Sequence, residues 1–174
     1  MRIHIILLLL YLCTPAIIWA DNTLPDAVSD QTSAALSIVG SGTYKKLGFL
    51  IYHATLWAPN GKFDKSKPYA LQISYDRSLS KSTIVDSTTD SIREEGVDDR
   101  KLAEWRKKLE AVLPEVNDGD ELVGLALPGK DSRLFLNGEL IARLRDPELS
   151  NAFFAIWLGK TADKSLHSAL LGKK

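Results

Sequence analysis

Sulfur and imidazole are the scarcest chemistry in this sequence: one cysteine, one methionine and three histidines in 174 residues. A lone Cys13 cannot close an intrachain disulfide. His53 and His167 have no histidine or cysteine near them in the chain, whereas a zinc site needs three or four converging ligands. No metal and no cofactor is implied. The G-x-S-x-G elbow, the Walker loop, the dinucleotide fingerprint and H-E-x-x-H are all missing. No charge of one sign is in excess either, with 22 Lys+Arg against 22 Asp+Glu. That balance argues against nucleic acid or an anionic membrane as the main partner. Internal repeats and low-complexity tracts are absent.

The one long apolar run stands at the start. Arg2 precedes Ile5 to Leu12, then Thr14-Pro15 interrupts, and small residues end at Ala20. A spanning helix needs about 20 continuous apolar residues, so no stable membrane anchor is expected. A positive n-region, a short apolar stretch and a small residue describe a secretory signal peptide. Tyr11 and Leu12 before Cys13 do not suit lipidation. The expected division is a signal peptide at 1–20, a flexible polar segment at 21–33 and one domain at 34–174. The mature chain is then secreted or periplasmic and free of cysteine, so its fold rests on its core.

A strand from Leu47 to Ala58 dominates what remains. Its alternate residues are Phe49, Ile51, His53, Thr55 and Trp57 on one face, and Gly48, Leu50, Tyr52, Ala54 and Leu56 on the other. Neither face is polar, so cover on both sides is expected. Ala35 to Tyr44 reads as an earlier strand bent at Gly40-Ser41-Gly42, and Pro68 to Tyr75 as a later one. The period then changes to helical. One helix is expected from about Ser80 to Glu95. A second follows Asp98-Asp99, with Leu102, Trp105, Leu109, Val112 and Val116 on one face. Glu121 to Leu127, Ser132 to Leu136 and Glu139 to Arg143 read as strands, the last two joined by the hairpin turn Asn137-Gly138. Asp146-Pro147-Glu148 opens a helix that Gly159 stops, and Lys164 to Leu171 forms another. Strands, helices, strands, helices is an α+β order.

No chemistry announces itself along this frame. Asp86, Asp90, Glu94, Glu95, Asp98 and Asp99 fall on helical surfaces or caps, with no pair on a buried face. His53 reads as a hydrogen-bonded core residue and Gly-Ser-Gly as a bend. Tyr52, Tyr69 and Tyr75 lie on neighbouring apolar strands. Two readings stay open for them: core phenols bonded to backbone or water, or the polar points of a pocket.

The stretches Tyr52-His53-Ala54-Thr55-Leu56-Trp57, Pro68-Tyr69-Ala70-Leu71, Asn137-Gly138, Asp146-Pro147-Glu148 and Phe153-Phe154-Ala155-Ile156-Trp157-Leu158-Gly159 occur in an order and spacing that resemble the chalcone isomerase-like family, notably its secreted bacterial branch. The resemblance implies an open-faced β-sandwich: a large antiparallel sheet backed by helices, with a small extra sheet. In members that cyclise chalcones, it implies an arginine that holds a phenolate, with a tyrosine and an asparagine ordering the ketone end. Here the arginine position before Gly40 is Val39, or, in a register shifted a few residues, Tyr44. The tyrosine matches at Tyr75, and the asparagine position is Ser82. Fatty-acid-binding members pair that arginine with a strand tyrosine, which corresponds to Tyr52; Lys46 or Lys45 is the available substitute cation. No catalytic residue is carried over, because the charge is missing. Three readings follow: a non-catalytic binder of a small apolar or amphipathic ligand such as a fatty acid, at Tyr52, Tyr75, Ser82 and Lys46; an isomerase or lyase on an enone-like substrate; or a structural module with a filled cleft.

Overall fold

The computed structural model describes residues 23–173. The expected signal peptide lies outside them. The elements are α1 (Asp26–Ser29), β1 (Leu36–Lys46), β2 (Phe49–Pro59), β3 (Tyr69–Tyr75), α2 (Lys81–Glu94), α3 (Asp99–Val112), β4 (Glu121–Ala126), β5 (Ser132–Leu136), β6 (Glu139–Leu144), α4 (Pro147–Leu158) and α5 (Lys164–Leu170). The six strands form one antiparallel sheet in sequence order. Among the described residues the small extra sheet is not found. Outside the large sheet the described residues pair at a single bridge, Leu79 to Val116.

Two hairpin turns carry left-handed backbone, and only the one at Asn137-Gly138 is predicted by the sequence. Asn137 and Gly138 take positive φ, 50° and 81°, which asparagine and glycine tolerate, and join β5 to β6. Leu47 and Gly48 do the same between β1 and β2, at 51° and 82°. They had been expected inside the long strand, since leucine disfavours left-handed backbone. Here Leu47 is 92% exposed, so its side chain meets no crowding beyond its own backbone.

Helix boundaries follow cap chemistry. Ser80 accepts from Thr83 N at 3.2 Å, Asp98 from Arg100 N at 3.0 Å, and Asp146 from the N–H groups of Glu148 and Leu149, both at 3.1 Å. α3 stops before Pro114, which forces Leu113 out of helical backbone. Val116, expected on that helix, instead pairs with Leu79. Asp146 also takes Trp105 Nε1 at 3.1 Å and Lys108 Nζ at 2.9 Å, so one carboxylate caps α4 and ties it to α3.

The main core lies between the sheet and the helices, built from Ala54, Leu56, Leu71, Ile73, Ile92, Leu109, Leu122, Phe153 and Phe154 among others. Among the described residues the other sheet face is covered at one end only. There Val28, fully buried, meets Trp57, Ala70, Val123, Leu125 and Phe135, with Leu24 and Leu36 beside them. The stretch 21–33 was expected to be loose; its described part instead carries α1 and packs through Val28. Beyond this cover the same face is open. Phe49 is 58% exposed under Arg77, and the His53 side chain is 54% exposed with Nε2 3.4 Å from Asp76. His53 is therefore a surface residue, not a core one.

Gly40 and Gly42 do not break β1. The strand runs through them, with an irregularity between Ile38 and Gly40. They leave room for α5, which lies against β1: a Cβ at Gly40 would stand 2.1 Å from Ala169 O, and one at Gly42 2.9 Å from Leu166 Cδ1.

Candidate functional site

A cavity of about 570 Å³ opens between the β1–β3 end of the sheet, α2, and the run from α4 into α5. Its construction starts from the pairing of β2 with β3. The register sets Tyr52 opposite Tyr75 and Ala54 opposite Ile73, all on the helix side. β1 adds Tyr44 opposite Tyr52. The three phenols form a continuous aromatic wall: Tyr44 stacks on Tyr52 with centroids 5.1 Å apart, and Tyr75 meets Tyr52 edge-on at 5.9 Å. α4 supplies Phe153, Ile156 and Trp157 from one flank, and α2 supplies Thr83, Ser87, Thr88, Asp90, Ser91 and Glu94.

The two inner hydroxyls differ. Trp157 Nε1 donates to the Tyr52 oxygen at 2.9 Å, which orients the phenol. The Tyr75 hydroxyl lines the same cavity, its residue is 7% exposed, and it has no protein hydrogen-bond partner among the described residues. The hydroxyl therefore opens onto the cavity, where its partner is whatever the cavity holds. Burial pushes the Tyr75 phenol up to about 12. The Tyr52 phenol is pushed further in the same direction, first by burial, against the Trp157 hydrogen bond and with help from Tyr44, Tyr75 and Asp163. Both are neutral donors near neutral pH, and neither serves as a base there.

This has a measurable consequence at high pH. Tyr69 is also held up to about 12 by burial. A phenol whose folded pKa exceeds its unfolded value of 10.0 keeps its full stabilising contribution below pH 10 and loses it as pH rises toward the folded value. Stability should therefore fall between about pH 10 and 12, by on the order of 2 kcal/mol per buried phenol. Urea unfolding at stepped pH, with tyrosinate absorbance followed in parallel, checks it. Tyr75→Phe should lessen the fall, and an equal fall in that variant would contradict the assignment.

Of the residues singled out from sequence, Tyr52, Tyr75 and Lys46 line the cavity. Ser82 does not. It is exposed on the first turn of α2 and bonds Ser80 Oγ at 3.0 Å. A helix turns about 100° per residue, and it is the next residue, Thr83, that reaches the wall. Of the two arginine positions, Val39 packs into the core and is not on the wall, whereas Tyr44 is. The shifted register is the one that meets the cavity. The cleft is not filled: Trp57 packs with the opposite-face cluster, Phe49 faces the solvent-open side, and Phe153 borders the space. Sequence reasoning missed Tyr44 as a wall residue, and also Glu94 and Asp163. A second cavity of about 590 Å³ lies on the other flank of α4, between Phe63, Tyr69 and Phe154. Its buried hydroxyls Ser132 and Ser150 satisfy one another.

The chain was then compared with known proteins. The family model described as chalcone isomerase-like matches residues 18–172. No curated protein sequence matches. Among solved structures, the crystal structure of an Arabidopsis thaliana fatty-acid binding protein superposes with a TM-score of 0.58. It is 11% identical, and the match covers 80% of this chain and 90% of that one. At that identity the likeness is one of fold, the open antiparallel sheet backed by helices.

Proposed function

Because the chain belongs to the chalcone isomerase-like family, we propose that it is a non-catalytic member that holds a small apolar or amphipathic molecule in the Tyr52–Tyr75 cavity. One observation carries this reading: Tyr75, a residue only 7% exposed whose hydroxyl has no protein partner among the described residues, lines a cavity of about 570 Å³. That volume is within the range of small-molecule sites, about 300–1,000 Å³. The wall is aromatic and aliphatic on the sheet and α4 side and polar along α2, as an amphipathic ligand requires. The Arabidopsis protein of the same fold is by its title a fatty-acid binder, which supports a lipid-like occupant in this architecture.

Cyclisation of a chalcone is disfavoured by the same wall. The reaction develops charge on a phenolate, and its main stabilisation is a fixed cation. Val39 and Tyr44 stand at the two positions where that cation is expected. Tyr75 would donate a hydrogen bond to a carbonyl, but a neutral phenol is a weak replacement for a guanidinium. Export follows from Arg2 and the apolar run to Leu12; a mature protein whose first residue is Asp21 supports that part, and one that retains Met1 contradicts it.

The experiment is a thermal-shift series with single-chain amphiphiles, run beside a flavanone assay. A ligand bound at a hundred times its Kd stabilises by about 2.7 kcal/mol, so at least one amphiphile should raise Tm by several degrees. Flavanone should form no faster than in buffer. A flat Tm across the series contradicts binding, and catalysed cyclisation contradicts the non-catalytic assignment.

A further inference from the structure

The charges on the cavity wall are the wrong sign for a carboxylate. Building on the binding reading above, we propose that the occupant is a cationic amphiphile, an apolar chain with an amine or quaternary ammonium head. The lining residues include three carboxylates, Asp90, Glu94 and Asp163, against one cation, Lys46. Asp90 is neutralised by Arg93 at 2.5 Å, and the same arginine lies 4.0 Å from Asp99. Glu94 has no ion-pair partner among the described residues. Asp163 caps α5 by accepting from Leu166 N at 2.8 Å and is otherwise exposed. Two exposed carboxylates, Glu94 and Asp163, therefore line the cavity without an ion-pair partner among the described residues, against the single lining cation Lys46.

The polar points agree with that sign. Asp163 is the charged side chain whose field reaches the Tyr52 phenol, the position at which the resemblance places an arginine–tyrosine clamp for a carboxylate. A carboxylate there would meet negative charge and no guanidinium. An ammonium group would meet the acceptor lone pairs of Tyr75, whose oxygen is unpartnered among the described residues. It would also meet the Tyr44 ring on its face away from Tyr52, since an aromatic face attracts cations. The fatty-acid ligand of the Arabidopsis fold relative does not transfer to this wall.

Isothermal titration calorimetry on the full chain, at low ionic strength and below the micelle point, tests the assignment with dodecylammonium, dodecanoate and dodecyl maltoside. Dodecylammonium should bind about tenfold or more tightly than dodecanoate. The double substitution Glu94→Gln with Asp163→Asn should bring that ratio near unity and leave dodecyl maltoside unchanged; asparagine still caps α5. Dodecanoate binding as tightly as the amine, or a ratio unmoved by the double substitution, would overturn the proposal while binding by the cavity stands. If none of the three binds, the binding reading fails and takes this one with it.

Discussion

Gly40→Ala should destabilise the domain by about 3 kcal/mol, the largest effect expected of an alanine at any of the glycines. The added carbon would lie 2.1 Å from Ala169 O, and 2.9 Å from both Gly172 N and Leu170 O. All three are backbone atoms, so no side-chain rotation relieves the overlap. β1 and the end of α5 must separate. The approach is mutual, since a Cβ at Gly172 would stand 2.8 Å from Val39 O. α5 carries Leu166 and Leu170 in the main core and follows directly on Asp163 at the cavity edge, so its displacement should also loosen the site. Ser41→Ala is the control on the intervening residue. It loses only the 3.0 Å hydroxyl contact with Thr55 and should cost about 1 kcal/mol or less. Urea unfolding of the two variants, with hydrogen exchange of the α5 amides, separates them. A Gly40→Ala protein as stable as the Ser41→Ala one would show that α5 does not bear on β1.

Trp157→Ala should cost about 3–5 kcal/mol, in the range of large aromatic truncations in cores. Two losses combine. The indole leaves a void against Phe153, whose ring centroid is 5.4 Å away. The Tyr52 oxygen also loses its donor in a buried place. Trp157→Phe separates them, because most of the volume stays while the N–H goes, and about 1 kcal/mol is expected. Removal of the indole also widens the cavity on its α4 side, so Trp157→Ala should admit a bulkier head group than the parent chain. A Trp157→Ala variant that loses less than about 1 kcal/mol would mean that α4 is not held at this point.

What could be read from the sequence was what neighbours in the chain decide. Ser80, Asp98 and Asp146 act on N–H groups two or three residues later, and Asn137-Gly138 makes its turn because both residues tolerate positive φ. The facing of Tyr52 and Tyr75 followed from two alternating strands. The unread features depend on distant residues. Gly40 and Gly42 looked like a bend because α5, more than a hundred residues on, is what needs their bare surface. His53 sits on an apolar stripe, yet cover from Leu24 and Val28 ends before reaching it. Leu47 turns the chain without any turn-forming side chain. The charge of Asp163 reaches Tyr52 only because the run from α4 into α5 folds back over the sheet. Ser82 failed as a site residue by one helical step. The sheet and its helices were thus legible, and the aromatic wall nearly so. The charges that select an occupant were not, since they come from three separate elements.

The central claim is that the Tyr52–Tyr75 cavity holds a small molecule. Native mass spectrometry of the full chain, purified from its own host without detergent, tests it most directly. The account predicts a co-purifying adduct of small-molecule mass that is lost in Tyr52→Leu, where the phenol bound to Trp157 is gone. Apo protein alone, with no thermal shift across the amphiphile series, would contradict it.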